Sequence, residues 1–139
     1  MERISKDKYY LNIAREVSKR STCLKRHYWA VIINNDEIIA TGYNGSPRGE
    51  ENCSSKGICY RLNEPHNSGN YNNCNSVHAE MNAIISASRK DMIGSILYLY
   101  GEEVKDINDF SKNTKIEKAE PCPICKKLIK NAGIKTIIS

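Results

Sequence analysis

The feature that most limits how this chain can fold is a pair of helix heads that have to meet. "PCPIC" at 121–125 places Cys122 and Cys125 three residues apart at the start of a predicted helix, so both sulfurs point the same way. "HAE" at 78–80 places His78 in the first turn of another predicted helix. The free N–H groups and partial positive charge of a helix N-terminus stabilise thiolates. Two thiolates and one imidazole make three ligands for zinc, where a structural zinc takes four. The remaining position is open to water, whose pKa the ion brings near neutrality. This reading requires His78, Cys122 and Cys125 to lie together in space.

Glu80 completes the pattern. In "NSVHAEMNAIIS", at 75–86, the periodicity predicts a helix from about Val77 to Lys90. Val77, Met81, Ile84, Ile85 and Ser88 fall on one side of it, and Glu80 leans into that side between Ile84 and Ala87. A carboxylate facing a core is costly unless the site uses it. Glu80 is not needed as a ligand, so it is free to take a proton from water and deliver it to a ring nitrogen and a departing amine. His-x-Glu followed by Pro-Cys-x-x-Cys marks zinc-dependent nucleobase deaminases. Either half alone would say little, since Cys-x-x-Cys also occurs in zinc ribbons and redox pairs.

A chain of 139 residues is enough for one domain with a real core and too short for two ordinary ones, so residues 1–139 are read as a single domain. No apolar run is long enough to span a bilayer, and "MERISKDKYYLNIAREVSKR" lacks the uninterrupted apolar region of a secretory signal. A soluble cytoplasmic protein is the expectation. The net charge of +5 suits a phosphorylated small molecule, and no arginine-rich or aromatic-basic tract marks a nucleic-acid surface. Six cysteines without a signal peptide point to metal or catalysis before disulfides. Single cysteines outside the last pair also serve as small buried apolar residues.

Ser5 can cap a helix over residues 5–20, in which Tyr9, Tyr10, Ile13, Ala14 and Val17 recur at helical spacing. "YWAVIINN" and "DEIIATGYNG" read as an antiparallel hairpin turning at Asn34, Asn35 and Asp36. Residues 45–75 are rich in Gly, Asn, Ser and Pro and hold three of the cysteines, so a metal-tied loop is expected there. "SILYLY" is a short apolar strand, 101–120 an inserted loop or small hairpin, and "CPICKKLIKNAG" a helix closed by Gly133; "IKTIIS" is a last strand. Strands alternating with helices indicate a sheet covered on both faces.

Taken together, "STC", "TGYNGSP", "NC", "VHAEMNAI", "LYLY", "PCPIC" and "NAGIKTII" resemble, in that order, the deoxycytidylate (dCMP) deaminases of the cytidine-deaminase-like superfamily, over nearly the whole chain. "HAE" and "PCxxC" belong to the superfamily; "TGYNGSP" ahead of a cysteine-containing loop points to the deoxycytidylate branch. The resemblance implies an α/β fold, a three-layer α/β/α sandwich with a mixed central sheet of about five strands. The implied reaction is hydrolysis of dCMP to dUMP and ammonia. It also implies a homo-oligomer, commonly a hexamer, and in some relatives control by dCTP or dTTP.

Carried over by motif, His78, Cys122 and Cys125 would hold the catalytic zinc and Glu80 would shuttle protons. The Ala79 backbone would touch the pyrimidine edge, Asn44 the sugar and base, and Gly45 and Ser46 would approach the phosphate. Turn chemistry alone makes "YNGSP" an ordinary strand-ending turn; with the resemblance, Gly45 allows close backbone approach and N–H donation to an anion. A second, structural zinc is implied as well. Cys23 and Cys53 match its ligand positions and Cys59 and Cys74 lie in the right loop; His66 could replace Cys59 or Cys74, but beside Pro65 it reads first as an exposed loop histidine.

The chain departs from the pattern at Trp29, where relatives carry glycine; the indole either fills core space or presses on the nucleotide site. The 101–120 insertion replaces a short link near the site mouth. Tyr98 or Tyr100 could stack on a base, though alternation in a buried strand explains both equally well. Competing readings are a deaminase of another nucleoside, nucleotide or tRNA base, and a non-catalytic zinc-binding module. A structural zinc would gain nothing from the inward-leaning Glu80.

Overall fold

The structure is a computed structural model, described here for residues 2–57, 59, 74 and 76–139. The first helix, α1 (Lys6–Ser18), starts where the Ser5 side chain accepts from the Lys8 amide at 3.2 Å. Its stripe of Tyr10, Ala14 and Ser18 is buried. A hairpin follows: β1 (Arg26–Asn34) and β2 (Glu37–Tyr43) pair antiparallel. Asn35 and Asp36 take φ of 51° and 62° in the turn between them, the left-handed pair that matches the twist of a tight hairpin. The short α2 (Cys53–Lys56) lies in the loop beyond.

Then come α3 (Ala79–Ile85), α4 (Arg89–Met92), β3 (Ile96–Glu103), β4 (Thr114–Lys115), α5 (Pro123–Ala132) and β5 (Thr136–Ile138). The strands form one mixed sheet in the order β2-β1-β3. The outer edge of β3 is shared. β4 pairs antiparallel with Glu102–Glu103 at one end, and β5 pairs parallel with Ile96–Tyr98 at the other.

Alternation along β1 and β3 splits the core into two layers. Trp29, Val31, Ile33, Tyr98 and Tyr100 face α1, packing with Tyr10 and Ala14. Ala30, Ile32, Leu97 and Leu99 face the other helices, packing with Ala79 and Ala83 of α3 and Ile129 and Ala132 of α5. This is the three-layer α/β/α sandwich that the resemblance implies. None of the described helices is long and apolar enough to cross a membrane.

Three expectations change. The helix predicted from Val77 to Lys90 is two helices. Ser86 ends α3 and Ser88 caps α4, accepting from the Asp91 amide at 3.2 Å. The face α3 buries is Ala79, Glu80 and Ala83, not the larger apolar residues, and Ile85 is 76% exposed. The "SILYLY" strand runs on to Glu103, into the segment read as an insertion. The rest of that segment is a loop with a 3-10 turn at Phe110–Lys112 and a return at β4. Buried Glu102 holds it down, accepting from Arg15 at 3.1 Å, Tyr100 at 2.7 Å and Asn113 at 3.3 Å.

Trp29 is fully buried on the α1 side, so its indole fills core and does not touch the metal-binding face. Trp29→Gly is expected to cost about 3–5 kcal/mol of unfolding free energy through the cavity it leaves. Turnover per folded molecule should stay unchanged. Denaturant titration beside an activity assay checks both, and a variant that is stable but inactive would contradict this placement. Tyr98 and Tyr100 share that side: Tyr98 donates to Asp7 at 2.6 Å and Tyr100 to Glu102 at 2.7 Å, so neither is placed to stack on a ligand held between α3 and α5.

Candidate active site

The heads of α3 and α5 converge. His78 is the N-cap of α3 in extended conformation, with φ −69° and ψ 152°. Cys122 is the N-cap of α5, Pro123 pre-sets the first turn, and Cys125 follows one turn on. The Cys122 sulfur accepts from the Cys125 amide at 3.4 Å. His78 Nδ1 lies 3.3 Å from Cys125 Sγ and 3.5 Å from Cys122 Sγ. All three ligand atoms fall within 4.8 Å of one another, and among the described residues no other group of three or more His, Cys, Asp or Glu does so.

This donor set fits zinc. Tetrahedral arms of about 2.0–2.3 Å place neighbouring ligand atoms about 3.5 Å apart. Burial chiefly, and then the neighbouring Glu80 carboxylate and Cys122, push the Cys125 thiol well above its ordinary value. A divalent cation is what would reverse that preference and make the thiolate stable. Glu80 is 5% exposed and sits in the first turn of α3. Burial raises its carboxyl above the usual carboxylate range, against its own backbone N–H and the Cys125 thiol, which lower it. A carboxyl whose hold on a proton is strengthened by burial, beside a metal pocket, suits a group that must both accept and return a proton.

The position of α3 depends on a glycine that composition and motif did not single out. A Cβ at Gly42 would sit 2.5 Å from the Ala83 amide nitrogen and closer still to the Ala79 carbonyl oxygen. The helix backbone therefore rests directly on β2, and Asn82 Nδ2 bolts it there by donating to the Tyr43 carbonyl at 2.8 Å. The available signal was a glycine inside an alternating strand, which marks close backbone approach.

The "YNGS" residues lie beside α3, but their polar groups are largely engaged. The buried Asn44 side chain accepts from Ser21 and from the Tyr28 amide at 2.8 Å, and donates to the Arg26 carbonyl at 2.9 Å. Gly45 forms a two-way bridge with Val77: its N–H donates at 3.2 Å and its carbonyl accepts at 2.7 Å. The Gly45 N–H is thus engaged by the Val77 carbonyl. Ser46 is half-buried next to it, and Ala79 is fully buried.

The other four cysteines are half-buried, and none forms a disulfide. Ser54, beside Cys53, donates its amide to the Thr22 carbonyl at 3.1 Å, which brings α2 alongside Cys23. Burial chiefly raises the Cys23 thiol, and Cys59 and Cys74 raise it further, so both approach it. The four do not close to the spacing of the first group. His66 lies outside the described residues.

The fold and donor set define a mononuclear metal site on an α/β/α sandwich. The profile described as "Cytidine and deoxycytidylate deaminase zinc-binding region" matches residues 4–139. The chain belongs to this cytidine and deoxycytidylate deaminase family, and carries its zinc-binding region with His78, Cys122 and Cys125 positioned to hold the ion. It is 32% identical to the deoxycytidylate deaminase of Mycobacterium phage D29, over 99% of this chain and 96% of that one. It is 34% identical to the deoxycytidylate deaminase of Schizosaccharomyces pombe, over 98% of this chain. It spans only 37% of that relative's length, and 38% of the Saccharomyces cerevisiae one. Among solved structures, the apo dCMP deaminase of cyanophage S-TIM5 superposes with a TM-score of 0.61 at 25% identity, covering 94% of this chain and 79% of that one. RibD of Acinetobacter baumannii shares the fold, with a TM-score of 0.51 at 18% identity over 94% of this chain and 27% of that one.

Proposed function

We propose that the chain is a zinc-dependent hydrolase that converts dCMP to dUMP and ammonia. The observation that carries this is Glu80, buried beside Cys125 where the helix heads that bring His78, Cys122 and Cys125 together converge. Relatives named deoxycytidylate deaminase supply the substrate. His78, Cys122 and Cys125 hold the ion; when bound, zinc supplies Lewis acidity to a neighbouring water. Glu80 takes a proton from water as its oxygen adds to C4 of the pyrimidine and passes that proton to the ring nitrogen; it then takes the remaining proton from the new C4 hydroxyl and gives it to the amine, as the C4–N bond breaks and the C4 carbonyl forms. The Ala79 backbone orients the pyrimidine edge. Asn44 is assigned to the sugar and base, through the amide N–H it has beyond its bonds to Ser21, Tyr28 and Arg26. Ser46 contributes near the phosphate.

Mixing the zinc-loaded protein with dCMP, CMP, deoxycytidine and cytosine, and following the cytosine absorbance band, tests the reading. Loss with dCMP alone is expected. No change with any of the four would refute it in favour of a zinc-binding module without activity.

Cys23, Cys53, Cys59 and Cys74 are assigned to a second, structural zinc, supported by the approach of Cys59 and Cys74 to Cys23. Four thiolates would pin a segment that has little core of its own. Cys23→Ser is expected to lower bound zinc by about one ion per chain without removing the first. Unchanged stoichiometry would strike Cys23 from the ligands. Thiol ligands require a reducing setting, in keeping with a cytoplasmic protein. Exposed Ile85, Ile124 and Leu128 on α3 and α5 offer apolar surface for a homo-oligomer, up to a hexamer. Light scattering in solution reads the assembly size.

A further inference from the structure

We propose that the loop between β3 and β4, residues 104–113, is the clamp of the second metal site: Phe110 seals His27 in place, and His27 presents Cys23 to the ion. This rests on the assignment of Cys23 to a second zinc above, and it gives the inserted segment a task.

Cys23 sits in the turn between α1 and β1, and its polar atoms are already aimed. The Lys25 amide donates to the Cys23 sulfur at 3.4 Å, and the Arg26 amide reaches it as well. Hydrogen bonds of this kind favour the thiolate, the form that binds metal. The Cys23 carbonyl lies 2.9 Å from His27 Nε2. A carbonyl only accepts, so that ring nitrogen carries the hydrogen. The sulfur and the carbonyl of one residue are thus both held by its neighbours.

His27 is fully buried on the α1 side of β1, directly opposite Glu102 of β3. Its Nδ1 is buried with no hydrogen-bond partner among the described residues. Burying a ring nitrogen without a partner costs free energy, so an apolar residue would fill this space better. The imidazole is there for its other nitrogen, the one on Cys23. Phe110 covers it, with ring centroids 5.5 Å apart and planes tilted by 52°. Phe110 is itself 36% exposed, so it is the outer cover of the imidazole and not part of the core.

The loop is tied to the same place at both ends. At its start the Val104 amide donates to the Lys25 carbonyl at 3.0 Å, two residues from Cys23. At its end Asn113 donates to Glu102 at 3.3 Å, and Glu102 also takes Arg15, in the last turn of α1, at 3.1 Å. Between them Asp109 caps the 3-10 turn that begins at Phe110, accepting from the Ser111 amide at 3.0 Å. The loop therefore grips the end of α1, the Cys23 turn and the end of β3 together. His78, Cys122 and Cys125 belong to the helix heads on the other side of the sheet. A clamp built this way acts on one ion and not on the other.

The test is zinc retention by the folded, fully loaded protein against a chromogenic chelator, with Cys23→Ser marking which ion is the second. Wild type is compared with His27→Ala, His27→Gln, Phe110→Ala and Phe110→Leu. Groups that orient metal ligands are worth about 10- to 100-fold in affinity. His27→Ala should lose the second ion about 10- to 100-fold more readily and keep the first as wild type does. A glutamine amide can still donate to the Cys23 carbonyl, so His27→Gln should recover part of the loss. Phe110→Ala should loosen the second ion about tenfold, and Phe110→Leu, which keeps an apolar cover, less. Phe110→Ala lies at the surface and keeps the test decisive should His27→Ala not fold. Unchanged retention in Phe110→Ala or in a folded His27→Ala overturns the clamp. Equal loosening of both ions overturns it too, because that is general loss of structure. Two zincs in wild type with unchanged release in the variants strikes the clamp alone. A single zinc in wild type strikes the second-zinc assignment, and the clamp with it.

Discussion

Glu80→Gln is expected to lower turnover of dCMP by roughly 100- to 10,000-fold while bound zinc stays at the wild-type level. The amide fills nearly the same space as the carboxyl, so the helix head and its metal pocket stay in place. What is lost is the ability to take a proton and give it back. Because His78, Cys122 and Cys125 already converge without it, metal content and rate should separate cleanly in this variant. Metal analysis beside the absorbance assay reads both quantities. A variant with near-normal rate would remove Glu80 from the chemistry, and one that had lost its zinc would make it a ligand.

Gly42→Ala should be nearly as damaging, for a different reason. The added methyl cannot be accommodated by swinging a side chain, because the atoms it meets are the backbone of α3 at Ala79, Asn82 and Ala83. Overpacking of this kind costs about 1–3 kcal/mol. Relief comes only by lifting the helix that carries His78 and Glu80 away from the sheet. A displacement of the order of 1 Å between a proton shuttle and its target is worth about 100-fold in rate. The expectation is a lower melting temperature together with weakened zinc retention and a large fall in kcat. Wild-type stability and rate in this variant would show that α3 tolerates a looser seat.

The two motifs were legible because each depends on local geometry. Cys122 and Cys125 share a side one turn apart in any helix, and His78 and Glu80 stand two residues apart at a helix start. Ser5, the Asn35–Asp36 turn and the left-handed Gly133, at φ 86°, are local too. What periodicity missed came from tertiary contact. The helix at 77–90 is predicted from its large apolar residues, whereas the buried stripe is Ala79, Glu80 and Ala83, because the Gly42 strand lies against the backbone at Ala79 and Ala83 and leaves little room beside them. Trp29 could be placed in a strand but not on a side of the sheet until α1 was seen packing over it. The shared edge of β3 rests on pairings of two and three residues from distant parts of the chain, which no window of sequence reveals.

The bridge between Gly45 and Val77 fastens the stem of everything that runs between them. Closure is made at the base, so lengthening or replacing part of 46–76 mainly adds loop entropy, which grows only as the logarithm of length. The segment is therefore a natural place to graft a peptide or tag, provided that Ser46, Ser54, the cysteines and the two bridging residues are left alone.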